Sequence, residues 1–270
     1  MNTLTLLSPL SAFLVMFSLG LRSDINGRLS LRSELIGGYW LGVYVAPLLV
    51  LLACAWLDLV SAAALIGFVL CILSGSGTSG VALARAMGAH NRMVTARLAS
   101  GALIALVAMP LIASQLTSNA LAVAGMVFIA LLLVQWLPWQ IGRWLQERWP
   151  FKEQTKHRLE QLASLSVLLL ILIVAWESLP HLLGDPWITF VALAVVLTLS
   201  VASALYSDER LEAMGVVKNL TLVTLVLTQV HAPQDAMTAL AAFGAVMYPA
   251  TWLASRIALV RIRSAASAQL

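Results

Sequence analysis

Charged residues are scarce in this sequence, since only 10% of its 270 residues are Asp, Glu, Lys or Arg. A soluble domain carries about 25% charged residues. At the same time, 61% of the residues are hydrophobic and the mean hydropathy is +0.93. This composition excludes a soluble globular domain and predicts an integral membrane protein. The net charge of +4 does not indicate nucleic-acid binding, because in a membrane protein the positions of the cations matter more than their sum.

Cysteine and the common catalytic motifs are also lacking. Cys54 and Cys71 lie in apolar runs and are interpreted as small buried residues, not as a disulfide framework. The sequence has no HExxH, CxxC or paired-carboxylate pattern and no phosphate-binding loop, so we expect no metal, no cofactor and no use of ATP. The first apolar run has no charged start and is followed by Arg22, so we expect no cleavable signal.

Nine apolar segments account for most of the chain. Their approximate bounds are 4–21, 35–56, 59–88, 91–113, 119–141, 160–178, 186–206, 209–230 and 236–259. Most are close to the roughly 20 residues that a helix needs to cross the hydrocarbon core. The loops between them are short. We therefore predict an all-α membrane protein of about nine transmembrane helices with no soluble domain.

The basic residues fall on one side of the membrane if the N-terminus is outside. The inner loops and the tail then hold Arg22, Arg28, Arg32, Arg85, Arg92, Arg143, Arg148, Lys152, Lys156, Arg158, Arg210, Arg256, Arg261 and Arg263. The outer loops hold Asp58, Glu177, His181, Asp185, His231 and Asp235. The positive-inside rule thus favours a multi-pass protein of the cell inner membrane with its C-terminus in the cytoplasm.

The third segment contains a run of residues that is unsuited to a helix. The run is Ser74, Gly75, Ser76, Gly77, Thr78, Ser79 and Gly80. Gly costs about 1 kcal/mol per helical position, and Ser and Thr compete for backbone hydrogen bonds. We predict two half-helices joined by unwound chain, which a bilayer tolerates only where it is buried in protein or lines a cavity. The alternative is a continuous helix whose small residues form a packing face.

A second interruption lies in the eighth segment, where residues 213–219 (AMGVVKN) place a Gly, a cation and an amide in an apolar run. The odd spacing between the third and eighth segments gives the two halves of the chain opposite orientations, as in an inverted-topology repeat. We predict a single membrane domain. Residues 1–113 form its first repeat, residues 114–159 the start of the second and a cytoplasmic loop, and residues 160–270 the rest of the second.

Short motifs along most of the chain resemble those of the bile acid:sodium symporter (BASS) family. They are residues 13–21 (FLVMFSLGL; family "MFgMGL"), 44–48 (YVAPL; "PL"), 75–80 with 86–89 (AMGA; "GGxxSN…AkGn"), 109–111 (MPL; "tPl") and 218–219 (KN; "QN"). The resemblance implies a panel domain against a core domain with two crossing broken helices, without the family's first helix. It also implies transport of organic anions, usually coupled to sodium.

The sodium ligands of that family are largely replaced here. By spacing they fall on Gly42, Gly80, Met93, Arg97, Met214 and Lys218, while Ser79 and Asn219 keep the family's residue types. Hard cations require oxygen ligands and negative charge. The two cations and two methionines therefore argue against sodium coupling.

Lys218 and Arg97 are the two basic residues that this assignment of loops leaves within the membrane. An intramembrane cation is costly and usually functional, and either one can replace the charge of the missing ion. The alternative for both is a side chain that extends to the inner surface. Lys218 lies about nine residues inside its segment, roughly 13 Å along a helix, which favours the functional interpretation. For Arg97 both interpretations stay open.

We expect a secondary transporter for a small organic anion, a carboxylate or a sterol-like acid. Its substrate-binding candidates are Ser74, Ser76, Thr78, Ser79, Gly80, Lys218 and Asn219. Half-helix ends that meet at the bilayer midplane are a recurrent substrate site in such proteins. The alternatives are a sodium symporter of the same family, an arsenite permease that uses Cys71, and an intramembrane hydrolase with a Ser79–Lys218 pair. An enzyme is not expected, and the partners are the anion and the lipid bilayer.

Overall fold

The structure is a computed structural model that describes residues 3–22, 38–117, 119–206 and 211–267. Within these ranges the chain is helical and contains no β-strand, so the all-α prediction is confirmed for the described residues. The predicted inner-loop cations Arg28, Arg32 and Arg210 lie outside them.

Eleven helices follow one another in the described part of the chain. They are α1 (Thr3–Leu21), α2 (residues 38–56), α3 (Ala62–Leu73), α4 (Thr78–Ala86), α5 (Asn91–Ala113), α6 (residues 120–148), α7 (Glu153–Gly184), α8 (Pro186–Tyr206), α9 (Glu212–Val216), α10 (Leu220–Gln229) and α11 (Gln234–Ser267). α2 and α6 each contain a five-residue π-helical stretch, Leu41–Val45 and Leu132–Trp136 respectively.

Three helices of the described residues are long and apolar enough to cross a membrane. They are Asn91–Ala113, Leu121–Arg148 and Pro186–Tyr206. Shorter apolar helices accompany them at Leu10–Leu21, Leu41–Trp56, Ala62–Leu73 and Leu220–Gln229. A helix needs about 20 apolar residues to span the hydrocarbon core. These helices are those of a membrane protein, as the composition predicts.

Three helices extend beyond the apolar segments predicted from the sequence. α6 continues to Arg148, α7 begins at Glu153 and α11 continues to Ser267. The predicted loop within residues 114–159 is therefore mostly helical, and residues 149–152 connect α6 to α7. Ion pairs accompany the polar extensions of α6 and α7. Arg143 pairs with Glu147 on α6, and Lys156 pairs with Glu153 on α7. Such pairs stabilise exposed helical turns, which hydropathy alone does not detect.

Two buried clusters hold the helices together. The larger one joins α2, α3, α5, the first part of α6, α8, α9, α10 and α11 through side chains such as Val43, Phe68, Met109, Val127, Val191, Val216, Val223 and Phe243. The smaller one joins α1, α4, α5, α7 and α9 through Met16, Leu19, Val81, Leu98, Ala163 and Met214. The two clusters meet where the helices α4 and α9 lie, next to the interruptions of the chain.

α1 and α6 are in direct backbone contact. A Cβ atom at Gly20 of α1 would overlap the carbonyl oxygen of Trp139, and one at Gly142 of α6 would overlap that of Phe17. Small residues allow helix backbones to approach this closely in membranes. α1 and α6 therefore form one packed unit, to which α7 adds through the smaller cluster.

Candidate functional site

The two interruptions of the chain pair with each other. Ser76, between α3 and α4, and Lys218, between α9 and α10, form an isolated antiparallel bridge. Gly77 N donates to Val217 O at 2.9 Å, and Asn219 N donates to Gly75 O at 3.1 Å. Backbone that leaves a helix inside a membrane must find other partners. Here each interruption supplies the partners for the other, and the four half-helices meet at one crossing.

Both interruptions are shorter than the sequence predicts. Residues 74–77 are unwound, whereas Thr78, Ser79 and Gly80 form the first turn of α4. On the second side α9 runs through Gly215 to Val216, and residues 217–219 are unwound. Gly77 is extended, with φ −78° and ψ 157°, and so caps α4. An extended cap followed by helical dihedrals is the usual start of a helix, and it lets the turn begin earlier than composition suggests.

Glycine is required at the crossing for two reasons. Gly75 has a φ of +73°, a left-handed conformation that glycine adopts without strain. At Gly77 an added Cβ would lie 2.6 Å from the carbonyl oxygen of Lys218. The run thus interrupts the helix, as predicted, and the alternative of a continuous helix with a small-residue packing face is wrong, although the glycines do allow close packing.

Three of the four predicted hydroxyl ligands bond to the protein itself, and the fourth, Thr78, lies in the first turn of α4. Ser74 Oγ donates to Cys71 O at 2.9 Å and accepts from Asn219 N at 3.0 Å. Ser76 Oγ donates to Met214 O at 2.6 Å. Ser79 Oγ lies 3.4 Å from the Tyr248 hydroxyl. Two of these bonds join the α3–α4 side to the α9–α10 side, so these serines hold the crossing together in this conformation.

Asn219 has a similar structural role on the other side of the crossing. Its side-chain oxygen accepts from Leu222 N at 3.2 Å, which satisfies one of the free amide groups at the start of α10. The Asn219 side chain therefore caps α10, while the backbone N–H of Asn219 donates to the α3–α4 connection.

Both predicted intramembrane cations are buried against tyrosine rings. Lys218 is 2% exposed, and its Nζ atom lies 4.3 Å from the centroid of the Tyr44 ring without a hydrogen-bond partner among the described residues. Arg97 is 5% exposed; its guanidinium carbon lies 4.0 Å from the Tyr39 centroid, and Nη1 lies 3.4 Å from Leu211 O. Neither side chain extends to the surface. The burial of both cations is incompatible with the alternative in which their side chains extend to the inner membrane surface.

Tyr39 and Tyr44 lie just before and within a π-helical stretch of α2. Tyr39 and Tyr44 are five residues apart, which in an α-helix places them about 140° apart. The stretch Leu41–Val45 widens the turn, and π-helical turns are often found at functional sites. Pro47 follows it and removes one α-helical donor. The sequence analysis missed Tyr39 and Tyr44 as partners of the cations; the signal was a tyrosine pair just before a proline.

A cavity of about 640 Å³ lies between α1, α4 and α7. Its lining includes Val15, Ser18, Arg22, Arg85, His90 and Glu160. Such a volume is within the 300–1,000 Å³ that is usual for small-molecule sites. Among the described residues that line it there is none of the eight predicted site residues, so the crossing and the cavity are adjacent but distinct.

The cavity contains a cluster of ion pairs around Glu160. Arg85 Nη2 donates to Glu160 Oε1, and Arg22 Nη2 donates to Glu160 Oε2 at 3.1 Å. Arg85 Nη1 also donates to Ser18 Oγ at 2.9 Å. Glu153 is exposed and lies 3.4 Å from Arg22, and its hydrogen bond with Lys156 lowers the pKa of its carboxyl group. The sequence analysis assigned these arginines to a membrane side but not to a site. The signal it missed was Glu160 at the start of an apolar segment, next to a stretch rich in basic residues.

A scan of the chain against protein-family models gives no match, and a search of curated proteins gives none either. The geometry above therefore carries the functional argument.

Proposed function

We propose that this protein is a secondary transporter that moves a small organic anion across the membrane by alternating access. The observation that carries the proposal is the antiparallel pairing of Ser76 with Lys218, which joins two interrupted helices around a buried cation. Interrupted helices that cross inside a membrane are costly to build and typically form substrate or ion sites.

We further propose that the helices form nine spans in an inverted-repeat arrangement like that of the BASS family. In this arrangement α3 with α4 and α9 with α10 each count as one discontinuous span. The packed unit of α1, α6 and α7 corresponds to a panel domain, and the other helices, α2 to α5 and α8 to α11, correspond to a core domain. The basic residues then lie on the cytoplasmic side of the inner membrane, with the N-terminus outside.

Buried cations support transport without sodium. Lys218 and Arg97 occupy positions that the resemblance assigns to sodium ligands, and each lies against an aromatic ring at 4.3 Å and 4.0 Å. At Gly42 and Gly80 an added Cβ would lie 2.5 Å from the Tyr206 ring and 3.1 Å from Ala213 O, which leaves little room for a ligating side chain. A sodium ion beside a buried ammonium costs several kcal/mol at an effective dielectric constant of about 20.

The alternative functions have less support. An intramembrane hydrolase needs a hydrogen bond between nucleophile and base, but Ser79 Oγ lies by Tyr248 and Lys218 Nζ lies by Tyr44. An arsenite permease needs an accessible thiol, and Cys71 is fully buried in the larger cluster. We therefore propose a transporter and not an enzyme.

A ligand screen tests this proposal. Purified protein is heated with a set of small and sterol-like carboxylates, once in sodium chloride and once in choline chloride. We expect at least one carboxylate to raise the melting temperature equally in both salts, because ligand binding stabilises the folded state by mass action. If no carboxylate stabilises the protein in either salt, the proposal fails.

A further inference from the structure

We propose that Arg22 and Arg85 form a carboxylate-binding site and that Glu160 occupies this site as an internal competitor of the substrate. The inference rests on the transport function proposed above. It names the residues that hold the anion in the cavity between α1, α4 and α7.

The charges around the cavity favour an anion. One carboxylate, Glu160, is shared by two guanidinium groups, so its single charge does not balance theirs. The side chain of Glu153 is 72% exposed and is also held by Lys156, and exposed ion pairs of this kind contribute little. The guanidinium group presents donors in a planar fork that matches a carboxylate. A substrate carboxylate that enters the cavity therefore meets two guanidinium groups whose positive charge Glu160 alone does not balance.

The positions of Arg85 and its two partners connect substrate binding to a movement of helices. Arg85 lies on α4, which begins at the crossing, whereas Ser18 and Glu160 lie on α1 and α7. The Arg85 guanidinium thus joins the crossing helix to the helices on the other side of the cavity. When a substrate carboxylate takes the place of Glu160 on Arg85, the bond between α4 and α7 is lost. The loss of this bond lets α7 move relative to α4 while Arg85 stays bonded to Ser18 of α1, and alternating access requires such a relative movement of helices.

Calorimetric titration with benzoate in an uncharged maltoside detergent tests this site. The titration compares the unmodified protein with Glu160→Gln, Arg85→Gln and Arg22→Gln. The matched control is Glu147→Gln, which removes a carboxylate from the Arg143–Glu147 pair on α6, neither of whose residues lines the cavity. Glu160→Gln should bind benzoate about tenfold more tightly, a coupling of ordinary size between competing groups. Arg85→Gln and Arg22→Gln should each bind it at least about tenfold more weakly, and Glu147→Gln should not differ from the unmodified protein.

The outcomes separate this inference from the transport proposal. Unchanged or weaker benzoate binding by Glu160→Gln overturns the inference, as does the lack of binding by every variant. If Arg85→Gln does not fold, Arg22→Gln provides the same test. Carboxylate flux in proteoliposomes without any effect of Glu160→Gln on benzoate affinity refutes this inference but leaves the transport proposal standing. Tighter binding by Glu160→Gln without any flux supports the site and refutes transport.

Discussion

The ammonium group of Lys218 lies 4.3 Å from the centre of the Tyr44 ring, at the point where the two interrupted helices cross. The guanidinium group of Arg97 lies in the same way over Tyr39, one π-helical turn earlier on α2. A ring face attracts a cation without carrying a charge of its own. The crossing thus holds two buried basic side chains against ring faces, and an anionic substrate benefits from their positive field.

The Tyr44 ring should stabilise the buried ammonium. Tyr44→Leu should lower the free energy of unfolding by about 2 kcal/mol, since a desolvated cation–π contact is worth that much. Tyr44→Phe keeps the ring and serves as the control. SDS-induced unfolding measures both variants, alone and combined with Lys218→Met. If the double-mutant cycle between Tyr44→Leu and Lys218→Met shows no coupling, the ring does not stabilise the cation.

The backbone pairing at the crossing should depend on the absence of a side chain at Gly77. Gly77→Ala places a Cβ 2.6 Å from the carbonyl oxygen of Lys218, so the bond from Gly77 N to Val217 O must lengthen or break. We expect a loss of roughly 1–3 kcal/mol of stability together with the loss of transport.

Gly125→Ala on α6 is the matched control for this change, because an added Cβ there meets no atom within 4 Å. Thermal unfolding of both variants in detergent gives the comparison. Equal stability and activity of Gly77→Ala and Gly125→Ala would show that the crossing is not closely packed.

The proposed orientation predicts which residues a membrane-impermeant thiol reagent can reach. In a background with Cys54→Ala and Cys71→Ala, Arg148→Cys should react only from the cytoplasmic side and Gly184→Cys only from the outside. Both positions are exposed, and they lie at the ends of α6 and α7. Labelling of whole cells against inverted vesicles measures this. Reaction of position 148 in whole cells would refute the nine-span arrangement.

The order and character of the helices are largely predictable from the sequence, whereas the contacts between them are not. Runs such as residues 91–113 and 186–206 match α5 and α8 because length and hydropathy decide where a chain crosses a membrane. The interruption at residues 74–77 is predictable because glycine and serine disfavour a helix locally. The helical turn at Thr78 depends instead on the extended conformation of Gly77, which the pairing with Val217 imposes.

The partners of the charged residues could not be predicted for a similar reason. Arg85 and Glu160 are 75 residues apart in the chain, and the positive-inside rule assigns a side to each cation but no partner. Tyr44, which faces Lys218, lies in the π-helical stretch of α2, where the angle between successive residues differs from that of an α-helix. Such local changes of period arise from tertiary packing and from Pro47, and a pattern search at helical period does not detect them.

Uptake of a radiolabelled carboxylate into proteoliposomes measures whether the protein moves an anion without sodium and whether Lys218 is needed for it. The carboxylate is the one that stabilises the purified protein best, and uptake is measured with sodium or choline as the external cation. We expect equal uptake in both salts by the unmodified protein and loss of uptake in Lys218→Met. Lys218→Gln should gain a weak dependence on sodium. Uptake that requires sodium in the unmodified protein, or that persists unchanged in Lys218→Met, would refute sodium-independent transport that depends on Lys218.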